Sequence, residues 1–545
     1  QRGALAAALE RLDSDHTIGA VGGRVVLTHG GLQEAGNIVF RDGSTLGIGR
    51  GEDPFCSAAM VTKATDYVSG VFTAVPADLW RMLGGFSEAL VPAYYEDADL
   101  CLRIWKAGWR VVYDPRILVE HLEWGSTSDN TEAPRQMRVN RERFLASHAD
   151  MLRERGDPAP LSLNADHWQS PEDVPRKPRI LILDNEVPHM SKGGGLPRAR
   201  MILQALAQWP VTFYPLWDAD DDWRDVYASL PHGEEVILGH GISRLEEFLE
   251  QRRGVYDTLV VSRPPNLEAL QPLRQRRPEL FKGMRLIYDA AALFALREIA
   301  EAAVRKRPLS RRAAQAKLDA EIRLADGVEQ VLVVSHRDAG YFKRAKHRTA
   351  QVGHAIKVRR NAPGPSQRNG LLFVGALHPD TPNEDGLIWF LDEVLPRLAC
   401  ILPQMPTLSI VGACRSVRIQ ERASFTVKVV GSQDQLEPWY DASRVFVAPV
   451  RFAGGVPVKV IEAAACGIPV VASAVLARQL GWMSGREILH ARDADGFARA
   501  IASLMRDDEL WIRQQTAAAD LCERQHNPEQ FAHDVRRLFQ PSAEG

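Results

Sequence analysis

The chain has 545 residues, well beyond the roughly 250–300 at which one hydrophobic core stops growing, so more than one domain is expected. Its 45% hydrophobic and 25% charged residues are those of a globular protein and exclude broad disorder. With 67 Lys and Arg against 69 Asp and Glu, the overall charge makes no case for nucleic acid or an anionic membrane surface as the main partner.

From Gln1 to about Leu122 the pattern is mixed α/β: a helix over Ala4–Leu12, a strand over Ile18–Leu27, then glycine-rich turns from Gly30 to Gly51. An amphipathic helix follows Tyr94 and Tyr95 and ends near Gly108. Glu132 to about Arg155 is charged and helical, and Asp157–Pro178 holds Pro158, Pro160, Pro171, Pro175 and Pro178, the mark of a linker. At Arg179 the run RILILD opens a strand–loop–helix unit, with Gly193–Gly195 before a helix over Arg198–Gln208. Strands over Thr258–Ser262, Arg285–Asp289 and Gln330–Ser335 alternate with helices, as a doubly wound sheet requires, and this unit ends near Pro365. The alternation then repeats with LLFVG at 371–375, LSIVG at 408–412, VKVVG at 427–431, VFVAP at 445–449 and PVVAS at 469–473.

Six cysteines lie scattered without CxxC or Cys/His ligand spacing, so neither a disulfide framework nor a structural zinc is expected, and a reducing compartment fits. No apolar run reaches the roughly 18 residues that span a bilayer, and no signal peptide is apparent; a cytoplasmic protein is expected.

Two constellations carry chemistry. Glu96, Asp97 and Asp99 gather at a helix start, where the macrodipole favours ionised acids and one can serve as a general base. A capped, solvated helix start explains the same spacing. The stretch from about Ile18 to Ser128, with Gly84-Gly85-Phe86 before the Glu-Asp pair, resembles the acceptor half of glycosyltransferase family 2, a GT-A fold. The resemblance implies that Asp97 takes the proton from the acceptor hydroxyl during inverting transfer, that Glu96 supports it, and that His121 helps hold a divalent metal (Mg or Mn). Family members place their nucleotide-binding strands and a metal-binding Asp-x-Asp before the part that begins at Gln1. Little activity is therefore expected of this first unit taken alone.

The second constellation is PVRFAGGVPVKVIEAAACGIPVVAS at 449–473. Its glycines permit close approach to a diphosphate, Lys459 supplies positive charge, and Glu462 can accept hydrogen bonds from ribose hydroxyls. Gly193, Gly194 and Gly195 could offer backbone N–H groups to a phosphate, or could serve only for chain reversal. Residues 179–540, through the 449–473 segment and FVGALHPDTPNEDGLIWFLDEVLPRL at 373–398, resemble glycosyltransferase family 4. This implies a GT-B fold of two Rossmann-like domains that retains anomeric configuration and requires no metal. Carried over, Glu462 binds the donor ribose, Lys459 the diphosphate and the Gly193 loop the phosphate side, while His378 and Asn383 fall in a loop facing the cleft. Asp289, Arg297 and Glu298 belong to the cleft region. Many members carry a second Glu where this chain has Gly454, beside Gly455, which leaves the transferred sugar open.

The expected organisation is thus an α/β chain with a partial GT-A-like domain at 1–130, a helix and proline-rich linker at 131–178, and a GT-B unit divided into 179–365 and 366–545. The expected activity is sugar transfer from a nucleotide-sugar donor to a glycan or lipid-linked acceptor, as in bacterial cell-surface polysaccharide or O-antigen synthesis. No nucleic acid is expected, and peripheral membrane association would accompany a lipid-linked acceptor. A nucleotide-sugar epimerase-like enzyme and a non-catalytic glycan- or nucleotide-binding scaffold are the competing readings.

Overall fold

The computed structural model describes residues 3–122, 132–158, 178–190, 195–217, 221–231, 233–433 and 435–540. Residues 131 and 159–177 of the expected linker, together with Gly193 and Gly194, lie outside these described residues.

The first sheet is built on two long strands. Strands β1 (Ile18–Leu27), β2 (Leu32–Glu34), β3 (Asn37–Val39), β4 (Thr45–Gly47), β5 (Lys63–Ala64), β6 (Thr73–Ala74) and β7 (Arg110–His121) precede residue 122. The sheet order is β2-β1-β7-β5 with β6 also on β1, while β3 and β4 form a separate hairpin. β1 and β7 run parallel from Ile18↔Arg110 to Leu27↔His121, and the register shifts after Gly23↔Asp114, so that Leu118 is the next partner, opposite Arg24. Pro115, which has no N–H to give the ladder, falls in that bulge. Helix α1 (Ala4–Ser14) lays Ala4, Ala7 and Ala8 against Val21 and Ile117. Helix α2 (Glu96–Lys106) buries Leu100, Leu102 and Ile104 with Val111 and with Phe144 of helix α3 (Glu132–Ser147).

The second sheet has seven strands: β8 (Ile180–Asp184), β9 (Val211–Pro215), β10 (Glu235–Val236), β11 (Thr258–Ser262), β12 (Arg285–Asp289), β13 (Gln330–Val333) and β14 (Thr349–Gln351). Their order is β10-β9-β8-β11-β12-β13-β14. The third comprises β15 (Leu371–Val374), β16 (Leu408–Val411), β17 (Val427–Gly431), β18 (Val445–Ala448), β19 (Val470–Ser473) and β20 (Leu489–Ala491), in the order β17-β16-β15-β18-β19-β20. Every pairing in this sheet is parallel, so its faces must be covered by helices. One face packs Leu371, Phe373, Leu408, Ile410, Val445 and Val447 with Phe390 and Phe497. The other packs Leu372, Val374, Val411, Phe446 and Ala448 with Val460 and Ile461. The uninterrupted aliphatic runs in the sequence reflect this two-sided burial.

The helices that the site uses are α4 (Leu196–Leu206), α5 (Phe294–Val304), α6 (Arg311–Arg323), α7 (Pro382–Trp389) and α8 (Val458–Ala465). The chain divides into two compact units. One comprises residues 1–182, 207–257 and 279–283; the other comprises 183–206, 258–278 and 284–545. Within the first, the short helix Ser57–Met60 covers the edge strand β10: Val236 N donates to Ser57 Oγ at 3.0 Å and Gly233 N to the Met60 carbonyl at 2.9 Å. An edge whose amides are satisfied in this way is not offered to another chain.

Candidate active site

In the third sheet the connections run one way from β15 to β16 and β17 and the other way from β18 to β19 and β20. The crevice of such a sheet opens between the two strands where the direction reverses, outside their carboxyl ends. Here these are β15 and β18, and residues 375–381 and 449–457 are the loops that leave them.

Each loop delivers side chains to the crevice through the helix that follows it. Thr381 caps α7, its hydroxyl accepting from Glu384 N, with Pro382 in the first turn. This fixes Asn383, whose Nδ2 donates to the Ala376 carbonyl at 2.9 Å and whose Oδ1 accepts from Lys459 Nζ. Lys459 stands in the first turn of α8, and its ammonium lies 4.6 Å from the centre of the Phe373 ring. Glu462 follows three residues later, on the same helix face. Burial pushes the Lys459 amine down to about 7, opposed by the Glu462 charge. Burial also pushes the Glu462 carboxyl above its usual range, opposed by Lys459. A partly buried ammonium whose hydrogen bond runs to a neutral amide is suited to an anion, and a carboxylate one turn away is suited to hydroxyls. His378 is half-buried at the same loop, where its carbonyl accepts from Thr381 Oγ1 at 2.8 Å. Asn383 and Lys459 are therefore in contact, Glu462 is in electrostatic contact with Lys459, and His378 lies on the adjoining loop.

Gly454 and Gly455 are where the 449–457 loop meets the segment after β12. A Cβ at Gly454 would stand 3.1 Å from Arg297 Cβ and 3.2 Å from the Leu293 carbonyl. At Gly455, with φ of +71°, it would stand 2.9 Å from Ala292 Cβ. The positive φ and the Ala292 contact call for glycine at Gly455, while a side chain at Gly454 would press on Arg297 and Leu293. Arg297 lies at this contact, whereas Glu298 is paired with Lys317 at 2.5 Å.

The second sheet reverses direction at β8 and β11, and its carboxyl ends carry Asp289, which the resemblance assigned to the cleft region, together with Asp184, Arg198 and Arg263, which the sequence did not single out. Asp184 accepts from Arg263 Nε at 2.8 Å, and Asp289 accepts from buried Arg198 Nη1 at 2.6 Å. Arg263 adopts φ of 73°, a strained conformation for a side-chain-bearing residue, and its guanidinium lies 3.5 Å from a Cβ built on Gly195. Asp289 thus anchors Arg198, which also donates to the Val352 and Gly353 carbonyls at 3.1 Å each.

In the first unit Glu96 and Asp97 open α2. Tyr94 and Tyr95 before them both have φ of 75°, and Asn140 Nδ2 holds this turn by donating to the carbonyls of Leu90, Ala93 and Tyr94 at 2.6, 2.9 and 3.0 Å. Asp97 accepts from Gly70 N at 2.9 Å and from Ala98 N at 2.8 Å; burial raises its pKa and these donors oppose the rise. Glu96 is raised by burial, and its Oε2 is buried with no hydrogen-bond partner. Glu34, which sequence reasoning missed, is pushed up to about 7 by burial and by the Asp97 charge. Asp99 is different: it pairs with His148 at 2.8 Å and Arg103 at 2.7 Å and ties α2 to the end of α3. His121, at the end of β7, pairs through Nδ1 with Gln33 Oε1 at 2.8 Å. Among the described residues no three His, Cys, Asp or Glu side chains converge to hold a metal ion.

Two doubly wound sheets with crevices at their reversal points, one presenting a lysine, an asparagine and a glutamate, define an α/β enzyme of GT-B architecture. Residues 368–507 match the family model described as Glycosyl transferases group 1. No curated protein sequence matches the chain. Among solved structures, sucrose-phosphate synthase (tll1590) from Thermosynechococcus elongatus is similar at 20% identity, covering 67% of this chain and 98% of its own, with a TM-score of 0.51. A mutant of S. aureus TarM in complex with Fondaparinux, alpha-GlcNAc-glycerol and UDP is similar at 10% identity, covering 67% of this chain and 100% of its own, with a TM-score of 0.52. Anabaena Alr3699/HepE in complex with UDP is similar at 15% identity, covering 66% of this chain and 99% of its own, with a TM-score of 0.50. At these identities the likeness is one of fold. The family match lies across β15–β20, and with this fold it supports glycosyl transfer as the activity. No helix among the described residues is long and apolar enough to cross a membrane.

Proposed function

We propose that the chain transfers a sugar from a uridine diphosphate sugar to a glycan or lipid-linked saccharide, in cell-surface polysaccharide synthesis on the cytoplasmic side of the membrane. The donor is held by the 375–381 loop and α8. The observation that carries this reading is the contact of Lys459 with Asn383, with Glu462 one turn on, at the point where the third sheet reverses. Lys459 would face the diphosphate and stabilise the charge that grows on it as the glycosidic bond breaks, and Glu462 would accept from the ribose hydroxyls. Two structures of similar fold hold UDP, which supports uridine as the base. Transfer with retention and without a metal belongs to the same reading. Calorimetric titration of uridine, adenosine and guanosine diphosphate sugars into the chain and its Glu462→Gln variant tests it. UDP-sugar binding weakened about tenfold or more in the variant, near 1.4 kcal/mol, is expected. Absence of any nucleotide binding, or equal affinity of the two proteins, overturns it, and product analysis with and without acceptor separates transfer from epimerisation.

The first unit reads as the acceptor part of a GT-A domain at 1–130, with Asp97 as the base and Glu96 beside it. The placement of Asp97 supports this: its pKa is raised, its carboxylate is oriented by two backbone N–H groups, and a second buried acid, Glu34, lies within its field. Asp97→Asn should leave UDP-sugar turnover at α8 unchanged. A loss of that turnover equal to the loss in Glu462→Gln would refute a separate role for Asp97.

A further inference from the structure

Helix α5 runs beside both loops of the donor crevice. Near its start, Leu293 and Arg297 border Gly454; just past its end, Arg305 Nη2 donates to the Asp380 carbonyl at 3.3 Å. The chain then turns back into α6, whose Glu321 carboxylate accepts from Phe294 N at 2.8 Å and Ala295 N at 2.6 Å, so that the two helices form an antiparallel hairpin. Its tip, Arg305 to Arg312, is exposed at every residue and reads Arg-Lys-Arg-Pro-Leu-Ser-Arg-Arg, with five cations and no acid. Arg305 is engaged with Glu301 at 2.9 Å and with Asp380 at 3.8 Å. Lys306, Arg307, Arg311 and Arg312 make no ion pair with any described residue.

Four unneutralised cations within seven residues repel one another, and the chain as a whole, at a net charge of −2, has no such excess to dilute. Lys306 moreover sits at φ of 58°. A cluster maintained against its own repulsion beside a reaction crevice gains from an anionic ligand passing that crevice. The apolar content of the tip is Pro308 and Leu309, the latter 41% exposed, too little for insertion into a bilayer to be its main purpose. We infer that the tip of the α5–α6 hairpin is a docking surface for an anionic saccharide, one bearing carboxylates or phosphates along its length, which it feeds to the sugar-transfer site as acceptor. This rests on the donor site proposed above.

The test uses the full chain and two sets of probes. Alginate oligomers, with a carboxylate on each sugar, are compared with neutral dextran oligomers of matched length by fluorescence anisotropy at low and high salt. Vesicles of phosphatidylglycerol with phosphatidylcholine form a separate arm. The K306Q/R307Q/R311Q/R312Q variant should bind alginate about tenfold more weakly at low salt and lose most of the salt dependence, while its UDP-sugar affinity is unchanged. Because four substitutions can disturb folding, a second variant, K306R/R307K/R311K/R312K, should keep alginate binding. Equal binding of alginate and dextran by the natural chain, or full alginate binding by the glutamine variant, overturns the inference. Loss of vesicle binding in that variant with alginate binding intact overturns it in favour of a lipid surface. Failure of UDP-sugar binding in all three proteins refutes the donor site and leaves the alginate comparison to judge the tip by itself.

Discussion

Gly455 offers the sharpest test of how the crevice is closed. Substitution by alanine meets two separate costs. The residue lies at φ of +71°, where an L side chain costs about 1–2 kcal/mol. The new Cβ would also stand 2.9 Å from Ala292 Cβ, closer than carbon atoms approach, and relieving that by moving one of the loops costs about 1–3 kcal/mol. The sum is a destabilisation of about 2–5 kcal/mol, and the loop that moves is the one leading into Lys459 and Glu462, so donor affinity should fall with stability. Denaturant unfolding of Gly455→Ala, Ala292→Gly and the double variant separates the terms. Ala292→Gly removes the opposing methyl and should recover the packing part only, a coupling of about 1–3 kcal/mol, leaving the conformational part in place. A coupling below about 0.5 kcal/mol would show that the 449–457 loop does not rest on Ala292.

Other expectations follow from buried charge. Burial tends to raise Asp99, but hydrogen bonds from His148 and Arg103 outweigh it and hold its carboxyl below the usual range, so its contribution to stability is present above about pH 4 and is lost as pH falls through the lowered value. Asp99→Asn should therefore cost about 3 kcal/mol at neutral pH, with a shallower acid limb in urea unfolding; an acid limb identical to that of the natural chain would refute the pairing. Glu234 is 2% exposed, neither carboxylate oxygen has a hydrogen-bond partner, and burial raises its pKa well above the usual range. The native state holds that proton, so stability declines as pH rises above the unfolded value of about 4.3, and the advantage of Glu234→Leu should widen over the same range. A constant difference between the two proteins from pH 4 to 8 would exclude this. With the Lys459 amine held down to about 7 by burial, UDP-sugar affinity should weaken as pH rises past that value, whereas Lys459→Arg should give a weaker but nearly flat profile in calorimetry. A flat profile in the natural chain would mean that this amine does not bind the diphosphate.

How far these features could be read from sequence depended on how local their causes are. Ile18–Leu27, Thr258–Ser262 and Arg285–Asp289 coincide with β1, β11 and β12, because each holds enough buried aliphatic residues to stand out between turn and helix signals. Arg110–His121 was not recognised as a strand, since Asp114-Pro115-Arg116 at its centre has the composition of a turn; the bulge opposite Gly23 absorbs it, and Asp114 is held there by Arg11 and Arg116 at 2.7 and 2.9 Å. Lys459 and Glu462 could be picked out because their spacing on one helix is written in one segment. Asn383, 76 positions away, could be tied to them only through a family resemblance, and Glu34 had nothing to connect it to Asp97. Both depend on strands brought side by side.

The same distinction explains Gly454. Read locally, a glycine pair before a lysine suggests space for a phosphate; in three dimensions a side chain at 454 would also press on Leu293 and Arg297 from the other sheet's connection. Those residues begin the hairpin whose far end reaches Asp380, so one helix touches both loops around Lys459. A substitution at Gly454 would then be felt along α5 as well as in α8, since interiors are close-packed and a shift of one wall moves what rests on it. The donor pocket and the basic tip would be parts of one mechanical element, and the identity of residue 454 would bear on acceptor handling as much as on the choice of sugar.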